Sequence, residues 1–451
     1  MIKKWFPNAK VVNNFEALGV SNVIQASNDN DILFIRAKNK SQLDKLVEIN
    51  LSSSFKGLVV SPFKPDRNNL NYSLLSLDEM DIKEADLMDY FYPLPQREAK
   101  LIGVTGTNGK TSSCWYCMEL GREIGLNVLY MGTIGVYLSG QKLKEKILTT
   151  TPSLLSLRKL LHKYGSKIDV VALEVSSHAL KQKRIDGIEF DVVAWTNFTQ
   201  DHLDYHETMQ DYFEAKFKII EYSRNKKLIV SRKQQELIGK LEGRAEIVST
   251  IDLSTTDLNV PAYLKEGFSL SNLEMALTCL SHLSKVDQGI NLENLDSPPG
   301  RFEIIEKENV IFIVDYAHTP DALEKALEQA RMLYPGLLIV TVFGCGGDRD
   351  RSKRPLMLSS ALDRSHKVIV TSDNPRTENP EDIIKDIVKG NKDILSYIER
   401  RKAIEESYKL AKSLSGKEKS IVMIAGKGDE NYQEIHGVRH EFSDSQVIKG
   451  L

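Results

Sequence analysis

The feature that most constrains this 451-residue chain is a glycine-rich segment, Gly103-Val-Thr-Gly-Thr-Asn-Gly-Lys-Thr111, between an apolar run and a stretch with helical character. A loop of this kind lets backbone amides approach phosphate oxygens, and the amino end of the following helix adds partial positive charge. Lys110 would reach the terminal phosphates, and Thr111 would offer its hydroxyl to magnesium. The usual spacing places a glycine five residues before Gly109, where this chain has Val104. The segment still favours a nucleotide site at the carboxyl end of a strand over a plain glycine-rich turn.

The charge balance argues against a general nucleic-acid binder. Sixty Lys and Arg residues against 62 Asp and Glu give a net charge of −2, without the basic excess that such binders carry. No window approaches the roughly 20 apolar residues of a membrane span, and the amino-terminal residues MIKKWFPNAKVVNN lack the apolar segment of a secretory signal. We therefore expect a cytoplasmic protein without membrane insertion.

Cysteine usage agrees with a reducing compartment. The four cysteines, Cys114, Cys117, Cys279 and Cys345, are too few and too scattered for a disulfide framework. Cys114 and Cys117 form a Cys-x-x-Cys pattern, which can mark a redox or zinc site, but the pattern begins four residues after Lys110, in the first turns of a predicted helix. We predict that both side chains pack inward as ordinary helix residues.

The alternation of apolar runs and amphipathic stretches predicts an α/β fold. In the amino-terminal part, residues 31–35 and 57–61 predict strands, with a helix over 41–49 between them. A helix is also predicted over 321–333. Continuous apolar runs, typical of parallel sheets covered on both faces, lie at 100–105, 170–174, 191–195, 310–314, 337–343, 367–371 and 420–425.

Three domains are expected, since about 150 residues per domain is usual. Two proline-containing breaks, at 92–100 and 296–300, would separate domains over residues 1–97, 98–298 and 299–451. We predict a small amino-terminal α/β domain, a central domain with a parallel phosphate-loop sheet, and a doubly wound, Rossmann-like carboxyl-terminal domain.

Polar residues that suit magnesium follow two successive predicted strands. Glu174 ends one strand, and Asn197-Phe-Thr-Gln-Asp-His-Leu-Asp-Tyr-His206 follows the next. Magnesium prefers oxygen ligands and keeps several waters, so one or two carboxylates with phosphate oxygens are enough. Taken alone, the second cluster is equally consistent with a polar loop, but two clusters at strand ends beside a phosphate loop favour metal binding and catalysis.

Beyond these physical signals, the motifs resemble those of the Mur ligases, and among them the UDP-N-acetylmuramoyl-tripeptide synthetases. The matching segments follow the family's order from about residue 100 to the end: Gly103–Thr111, Thr150–Ser153, Glu174–Leu180, Thr196–His206, Tyr212–Lys216, Gly300–Glu303, Asp315–Leu323, Phe343–Arg349, Asp373–Arg376 and Ala425–Gly428. The displaced glycine of the phosphate loop is the family's own form of this loop.

The resemblance implies a UDP-binding amino-terminal domain, a central ATPase and an amino-acid-binding carboxyl-terminal domain. It also implies that ATP phosphorylates the free carboxylate of UDP-N-acetylmuramoyl-L-alanyl-D-glutamate, and that an amino acid then attacks the acyl phosphate, in peptidoglycan precursor synthesis. The implied partners are small molecules, namely ATP, the UDP-muramoyl dipeptide and the amino acid, with Mg²⁺ as cofactor. No nucleic-acid partner is expected, and we expect a monomer.

Site residues carry over by position in this sequence. The resemblance assigns catalysis to Lys110, Glu174, His202 and Lys216, and magnesium to Thr111, Glu174, His202 and Lys216, the last as a carbamylated lysine (N6-carboxylysine) rather than a surface lysine. It assigns ATP to Gly106, Thr107, Asn108, Gly109, Lys110, Thr111, Asn272, Arg301 and Asp315. It assigns binding of the UDP-muramoyl dipeptide to Thr150, Thr151, Ser177, Gln182 and Arg184. It assigns binding of the amino acid to Arg349, Asp373, Asn374, Pro375, Arg376, Gly426 and Glu430. No role is assigned to His318.

The amino acid depends on Arg376, which stands where lysine-adding relatives tend to lack an arginine. A guanidinium binds a carboxylate bidentately. meso-Diaminopimelate has a second carboxylate at its far end, where L-lysine has only an ammonium, so the arginine predicts meso-diaminopimelate. The alternatives are the same reaction with L-lysine, a ligase similar to folylpolyglutamate synthetase, and a non-catalytic nucleotide-binding scaffold.

Two departures from the family pattern stand out. Asp429 replaces the usual histidine of the Gly-Lys-Gly-His-Glu motif, which affects the surroundings of Glu430. The amino-terminal domain is shortened and lacks the usual Asp-Ser-Arg segment, with 26–35 as its nearest counterpart. UDP contacts are therefore not assigned to individual residues.

Overall fold

The computed structural model describes residues 2–22, 24, 27–94, 99–145, 147–253, 259–284, 292–391, 393–416 and 418–451. The strands are β1 (Gly19–Ser21), β2 (Asp31–Phe34), β3 (Leu58–Ser61), β4 (Asn71–Leu74), β5 (Lys100–Thr105), β6 (Val128–Gly132), β7 (Gly135–Leu138), β8 (Gln141–Lys142), β9 (Val170–Glu174), β10 (Val192–Trp195), β11 (Lys227–Val230), β12 (Glu246–Ser249), β13 (Glu303–Lys307), β14 (Val310–Asp315), β15 (Leu338–Phe343), β16 (Lys367–Thr371), β17 (Leu395–Tyr397), β18 (Ser420–Ala425), β19 (Tyr432–Ile435) and β20 (Val438–Glu441). Each predicted apolar run is therefore a strand.

Helices fill the intervals between most of these strands. They are α1 (Ile2–Trp5), α2 (Lys40–Asn50), α3 (Leu77–Phe91), α4 (Lys110–Glu123), α5 (Leu154–Tyr164), α6 (Ser177–Lys181), α7 (Leu203–His206), α8 (Met209–Phe217), α9 (Gln235–Leu241), α10 (Gly267–Ser281), α11 (Pro320–Leu333), α12 (Lys353–Arg364), α13 (Pro380–Val388), α14 (Arg400–Ser415) and α15 (Asp444–Gly450). The helices predicted over 41–49 and 321–333 are α2 and α11, and the predicted α/β class is confirmed.

The chain forms two compact units, Met1–Leu101 with Gly125–Phe190 and Ile102–Ile124 with Asp191–Leu451. The division passes through β5, after Leu101. The three predicted domain ranges therefore stay predictions, and the predicted boundary at 97/98, like part of the 92–100 break and part of the 26–35 segment, lies outside the described residues.

The first unit contains a parallel sheet in the order β1-β2-β3-β4. Buried side chains of the first unit, among them Ile32, Leu58 and Leu87, form an apolar cluster beside this sheet. The helix α3 starts at a capping box. Ser76 Oγ accepts a hydrogen bond from the Glu79 amide, and the Glu79 carboxylate accepts one from the Ser76 amide. In the same unit β6 pairs in parallel with β9 and antiparallel with β7, which continues to β8.

The second unit contains parallel strands in the order β12-β11-β10-β5 and a six-stranded sheet in the order β13-β14-β18-β15-β16-β17. Only β13 is antiparallel within that six-stranded sheet as the structure describes it. Its two faces pack against separate apolar clusters, one that includes Ile313 and Leu327 and one that includes Phe312 and Ile404. Helices on both faces of a mainly parallel sheet are the predicted doubly wound arrangement.

The cysteine prediction holds for the described structure. Cys114 and Cys117 lie in α4, and all four cysteines are buried thiols outside any disulfide bond. Burial raises the pKa of the Cys345 thiol to about 12, which keeps it protonated and unreactive. Among the described residues, none of the helices is long and apolar enough to cross a membrane.

A buried ion pair fixes the last helix of the second unit. Arg400 Nε and Nη2 donate to the two carboxylate oxygens of Asp444 at 2.8 and 2.7 Å, and Nη2 also donates to the Ala425 carbonyl. Both side chains are completely buried.

We expect Arg400→Met to lower the free energy of unfolding by about 3–5 kcal/mol, because it leaves the Asp444 carboxylate buried without its partner. Urea denaturation followed by circular dichroism measures the effect. Lys412→Met, which removes an exposed pair with Glu308, is the control and should leave the midpoint unchanged. A midpoint for Arg400→Met equal to that of the wild type would contradict this account.

Candidate functional site

The phosphate loop has the strand-loop-helix geometry that the sequence predicts. It leaves β5 at Thr105 and enters α4 at Lys110. Gly106 and Gly109 have positive φ angles of 146° and 83°. A side chain at Gly106 would collide with Thr196 Oγ1, and one at Gly109 with Asn272 Oδ1. Glycine is thus required at both positions, by backbone conformation and by space.

A neighbouring segment holds the loop in this conformation. The Thr107 amide donates to the Asn197 carbonyl at 3.1 Å. The Asn108 amide donates to Asn197 Oδ1 at 2.9 Å, and Asn197 Nδ2 returns a bond to the Asn108 carbonyl at 3.1 Å. Thr107 Oγ1 also donates to the Thr199 carbonyl at 3.1 Å. These bonds fix the backbone conformation of the loop, and with it the position of the amino end of α4, before any phosphate arrives.

Two lysine side chains converge on this loop. Lys110 Nζ donates to the carbonyls of Gly106 and Thr107, each at 2.9 Å. Lys216, on α8, is 1% exposed, and its Nζ donates to the same Gly106 carbonyl at 2.7 Å. Burial, reinforced by the charge of Lys110 and opposed by that of Asp201, holds the pKa of Lys216 well below its usual value. The Lys216 amine is therefore neutral much more readily than an exposed lysine.

Asp201 lies among charged partners at the end of the segment after β10. Its Oδ1 accepts from the His202 amide at 2.9 Å, and its Oδ2 lies 3.3 Å from His202 Nε2 and 3.8 Å from His318 Nε2. Burial alone would raise the pKa of the Asp201 carboxyl, but the interaction with His318 and the charges of His202 and Lys353 hold it well below its usual value. Asp201 is therefore a fixed anion beside His202.

The remaining predicted ATP residues lie on α10 and around β14. Asn272 Oδ1 accepts from Ser113 Oγ at 3.5 Å. The Arg301 guanidinium stacks on the Tyr316 ring at 3.9 Å. Asp315 accepts from the Phe302 and Ala317 amides, both at 2.7 Å, while burial raises the pKa of its carboxyl.

In the first unit, Glu174 is completely buried at the end of β9. Its Oε1 accepts from the Tyr130 hydroxyl and from the Thr133 amide at 3.0 Å, and its Oε2 accepts from Thr133 Oγ1 at 3.0 Å. Neither Tyr130 nor Thr133 was assigned from the sequence. These donors hold the Glu174 carboxylate in a fixed orientation.

The residues predicted to hold the dipeptide form a hydrogen-bond network in the same unit. The hydroxyl oxygens of Thr133 and Thr150 lie 3.1 Å apart, and Thr151 Oγ1 donates to the Glu174 carbonyl at 2.8 Å. Arg184 Nη1 donates to the Thr151 carbonyl at 3.1 Å, and its Nε donates to Gln182 Oε1 at 2.9 Å. Ser177 begins α6, directly after the cap residue Ser176, whose amide donates to Thr151 Oγ1.

The residues predicted to bind the amino acid surround the loop that follows β16. Arg376 has a positive φ of 50°. Its backbone is bonded on both sides by the β19–β20 hairpin, to the Glu434 carbonyl at 3.0 Å and the His436 amide at 2.6 Å. Its Nη1 donates to the Gly347 carbonyl at 2.6 Å. The hairpin therefore fixes the direction in which the guanidinium leaves the loop.

Other members of this group lie close by. Asn374 Nδ2 donates to Glu430 Oε2 at 2.7 Å. A side chain at Gly426 would meet Asp373 Oδ2, and one at Gly347 would collide with the Pro375 carbonyl.

Arg349 is also near, since a Cβ at Gly346 would lie 3.8 Å from Arg349 Cγ and 2.8 Å from Arg376 Nη1. The Arg349 guanidinium pairs with Asp204 at 3.4 Å and is nearly half exposed.

Sequence reasoning missed several residues of these clusters. Asn197 and Asp201 stand inside a segment that was singled out, but no role was assigned to them. His318 was left unassigned, yet its Nε2 faces Asp201 while its Nδ1 lies 2.9 Å from the Tyr316 carbonyl. Lys427, inside the quoted Ala425–Gly428 segment, is completely buried and bonds to Asn374 and Glu430.

Comparison with known families gives two matches along the chain. The Mur ligase middle domain matches residues 104–295, and the Mur ligase, glutamate ligase domain matches residues 300–428. Among curated relatives, the UDP-N-acetylmuramoyl-L-alanyl-D-glutamate--2,6-diaminopimelate ligase of Fusobacterium nucleatum is 39% identical over 430 residues, covering 87% of this chain and 85% of the relative.

Solved structures agree with these matches. A UDP-N-acetylmuramoyl-L-alanyl-D-glutamate--2,6-diaminopimelate ligase has a TM-score of 0.53 at 28% identity, covering 100% of this chain and 98% of its own. The Mycobacterium tuberculosis folylpolyglutamate synthase complexed with ADP and AMPPCP has a TM-score of 0.61 at 16% identity, covering 76% of this chain and 92% of its own. The first match supports the predicted three-domain α/β architecture over the whole chain, whereas the second shows a likeness of fold alone.

Proposed function

Because this chain belongs to the Mur ligase family, we propose that it joins meso-diaminopimelate to UDP-N-acetylmuramoyl-L-alanyl-D-glutamate in an ATP-dependent reaction. The observation that carries the choice of amino acid is Arg376, whose backbone is held by the β19–β20 hairpin and whose guanidinium is held by the Gly347 carbonyl. A fixed guanidinium suits the distal carboxylate of diaminopimelate, and the Glu430 carboxylate suits its distal ammonium.

Phosphoryl transfer would depend on the preorganised loop. The amino end of α4, which begins after Gly109, would hold the ATP phosphates, with Lys110 exchanging its carbonyl partners for phosphate oxygens. The substrate carboxylate attacks the γ-phosphorus, the bond to the β,γ-bridging oxygen breaks, and ADP leaves. The amine of diaminopimelate then attacks the acyl phosphate, and phosphate leaves with formation of the amide and loss of one proton. Asn272, Arg301 and Asp315 complete the proposed ATP contacts.

Magnesium remains part of the proposal. Of the described residues, no group of three or more His, Cys, Asp and Glu side chains is arranged to hold a metal. Thr111, His202 and Lys216 offer a hydroxyl, an imidazole and, once carbamylated, an oxygen anion. Glu174 is assigned by its place at the end of β9 and by the family resemblance. Together with phosphate oxygens and water, such a donor set fits the hard, oxygen-preferring ion. When bound, the metal would neutralise charge that develops on the phosphates.

The low pKa of Lys216 supports its carbamylation. Carbon dioxide reacts with a neutral amine, and the product is a carbamate anion with release of one proton. Asp201 remains ionised beside His202 and would orient that imidazole as a positioning residue.

The UDP-muramoyl dipeptide would bind through the first unit, where Thr150, Thr151, Gln182 and Arg184 form one network and Ser177 begins the adjacent helix. Arg184 supplies a cation suited to the carboxylate-rich peptide. The UDP contacts, the cytoplasmic location and the monomeric state stay predictions.

The proposal is tested by phosphate release from purified enzyme with ATP, Mg²⁺ and the UDP-muramoyl dipeptide. We expect release to require both the dipeptide and an amino acid, and kcat/KM to be at least about 100-fold higher for meso-diaminopimelate than for L-lysine, as expected for loss of a charge-assisted contact. Faster release with L-lysine would contradict the choice of amino acid. Activity with a folate and L-glutamate would instead support a folylpolyglutamate synthetase, and no release under any condition would support a scaffold.

A further inference from the structure

Lys427 is a buried lysine for which the mechanism above has no use. It follows β18 in the turn Gly426-Lys427-Gly428, whose two glycines have positive φ angles of 114° and 52°. The lysine is completely buried. Because an ammonium group loses its hydration on burial, lysine is rarely found in such a position unless its charge is paired. The neighbours of Lys427 must therefore satisfy it.

The partners of Lys427 are two residues of the proposed amino-acid site. Its Nζ donates to Glu430 Oε2 at 2.7 Å and to Asn374 Oδ1 at 3.1 Å. It also lies 5.4 Å from the centroid of the Tyr432 ring, on the first strand of the β19–β20 hairpin. Lys427 thus ties together the loop after β16, the turn after β18 and the hairpin.

These bonds determine which atoms face the substrate. An ammonium can only donate, so Lys427 fixes the Asn374 amide with Oδ1 towards itself and Nδ2 towards Glu430. The Glu434 amide donates to the same Asn374 oxygen at 2.9 Å. Among the described residues, the hydrogen bonds to the Glu430 carboxylate all end on Oε2, from Lys427 and from Asn374. Oε1 is left to accept from a ligand.

Lys427 also changes the charge of the site. Without it, Glu430 would be a carboxylate with an amide as its side-chain partner, and any ligand ammonium would be attracted. With it, the charge of Glu430 is largely offset, so that an ammonium binds well only when an accompanying carboxylate reaches Arg376. The far end of meso-diaminopimelate carries both groups, whereas L-lysine carries the ammonium alone.

We propose that Lys427 is a positioning and specificity-determining residue, which orients Asn374 and Glu430 and disfavours amino acids that lack a distal carboxylate. This inference rests on the proposed function. Its test is Lys427→Met, which removes the donor and the charge but keeps the length of the side chain. We expect KM for meso-diaminopimelate to rise about tenfold, and the ratio of kcat/KM for meso-diaminopimelate to that for L-lysine to fall about tenfold.

The same assays separate positioning from a general structural role. KM for ATP and for the UDP-muramoyl dipeptide should stay within about twofold of the wild type, since these sites do not depend on one side chain of the amino-acid site. Lys419→Met is the matched control, because Lys419 is half exposed and pairs only with Glu306 among its described partners. An unchanged preference for diaminopimelate, or a parallel rise in all three KM values, would overturn the inference.

A second variant covers the case in which Lys427→Met does not fold. Lys427→Met/Glu430→Gln removes both charges of the pair and should show the same amino-acid preference as Glu430→Gln alone. A further loss of preference in the double variant would show that Lys427 does not act through Glu430, and the inference would be wrong. If the wild type itself prefers L-lysine, the proposed function fails. If the wild type prefers diaminopimelate and the Lys427 variants keep the same ratio of kcat/KM values, only this inference fails.

Discussion

Lys216→Ala is expected to lower kcat by about 100- to 1000-fold, the effect of removing one preorganised electrostatic group from a reacting centre. Lys216 is buried, donates to the Gly106 carbonyl of the phosphate loop and has a lowered pKa. An alanine can neither form a carbamate nor keep this contact. Steady-state phosphate release with saturating substrates measures the loss. Lys218→Ala, an exposed lysine two residues away, is the matched control and should keep wild-type activity.

The carbamate itself has a direct readout. With ¹³C-labelled bicarbonate, the wild type should show a carbamate carbon signal in the NMR spectrum that Lys216→Ala lacks. Acetate or propionate could enter the space left by the missing side chain, and we expect either acid to restore part of the activity of Lys216→Ala but not to stimulate the wild type. Absence of the signal, together with a kcat for the alanine variant within tenfold of the wild type, would contradict the proposed modification.

The lowered pKa of Lys216 also predicts that stability and activity depend on pH. The folded-state pKa lies below the ordinary value of 10.5, so the unfolded chain binds the proton more readily between the two values. Relative to Lys216→Met, the free energy of unfolding of the unmodified protein should therefore fall as the pH is lowered through that interval. The neutral amine of the folded protein is depleted as the pH reaches the folded-state pKa, and below that pKa activity should depend increasingly on added bicarbonate. Urea titrations and rate measurements across this pH range check both effects.

The sequence was most informative where local chemistry determines structure. Continuous apolar runs become buried parallel strands because both faces of such a sheet are covered, and Gly106 and Gly109 are demanded by the loop whatever the rest of the chain does. Lys216 was placed by its motif alone, and its complete burial then gave a physical reason for the proposed modification. These features depend on neighbours in sequence or on a whole motif.

What escaped prediction is pairing between distant segments. Tyr130 and Thr133 hold the Glu174 carboxylate from the β6–β7 hairpin, and nothing in their own sequence marks them as its donors. His318 approaches Asp201 only because the chain folds the end of β14 towards the segment after β10. Such contacts depend on how whole strands are ordered in a sheet, which a local pattern does not encode.

The role of Arg376 gives the sharpest test of substrate choice. Its backbone is held by Glu434 and His436, and its Nη1 by Gly347, so the direction of the side chain is set before substrate binds. A preorganised guanidinium that meets a carboxylate forms two charge-assisted hydrogen bonds, and their loss is worth about 3 kcal/mol, or roughly 100-fold in affinity. We therefore expect Arg376→Ala to raise KM for meso-diaminopimelate by about 100-fold, with KM for ATP unchanged.

The accompanying variants separate charge from geometry. Arg376→Lys keeps the charge but loses the planar fork, and its KM for meso-diaminopimelate should lie between those of the wild type and Arg376→Ala. Both variants have a side chain at the same positive φ, so backbone strain is matched between them.

Arg351→Ala removes an exposed arginine that pairs with Asp386 and should leave all KM values unchanged. L-Lysine, which has no carboxylate for Arg376 to bind, should be used by Arg376→Ala at least as well as by the wild type. If Arg376→Ala lowered kcat/KM more for L-lysine than for meso-diaminopimelate, the arginine would support the fold of the loop rather than recognise the substrate.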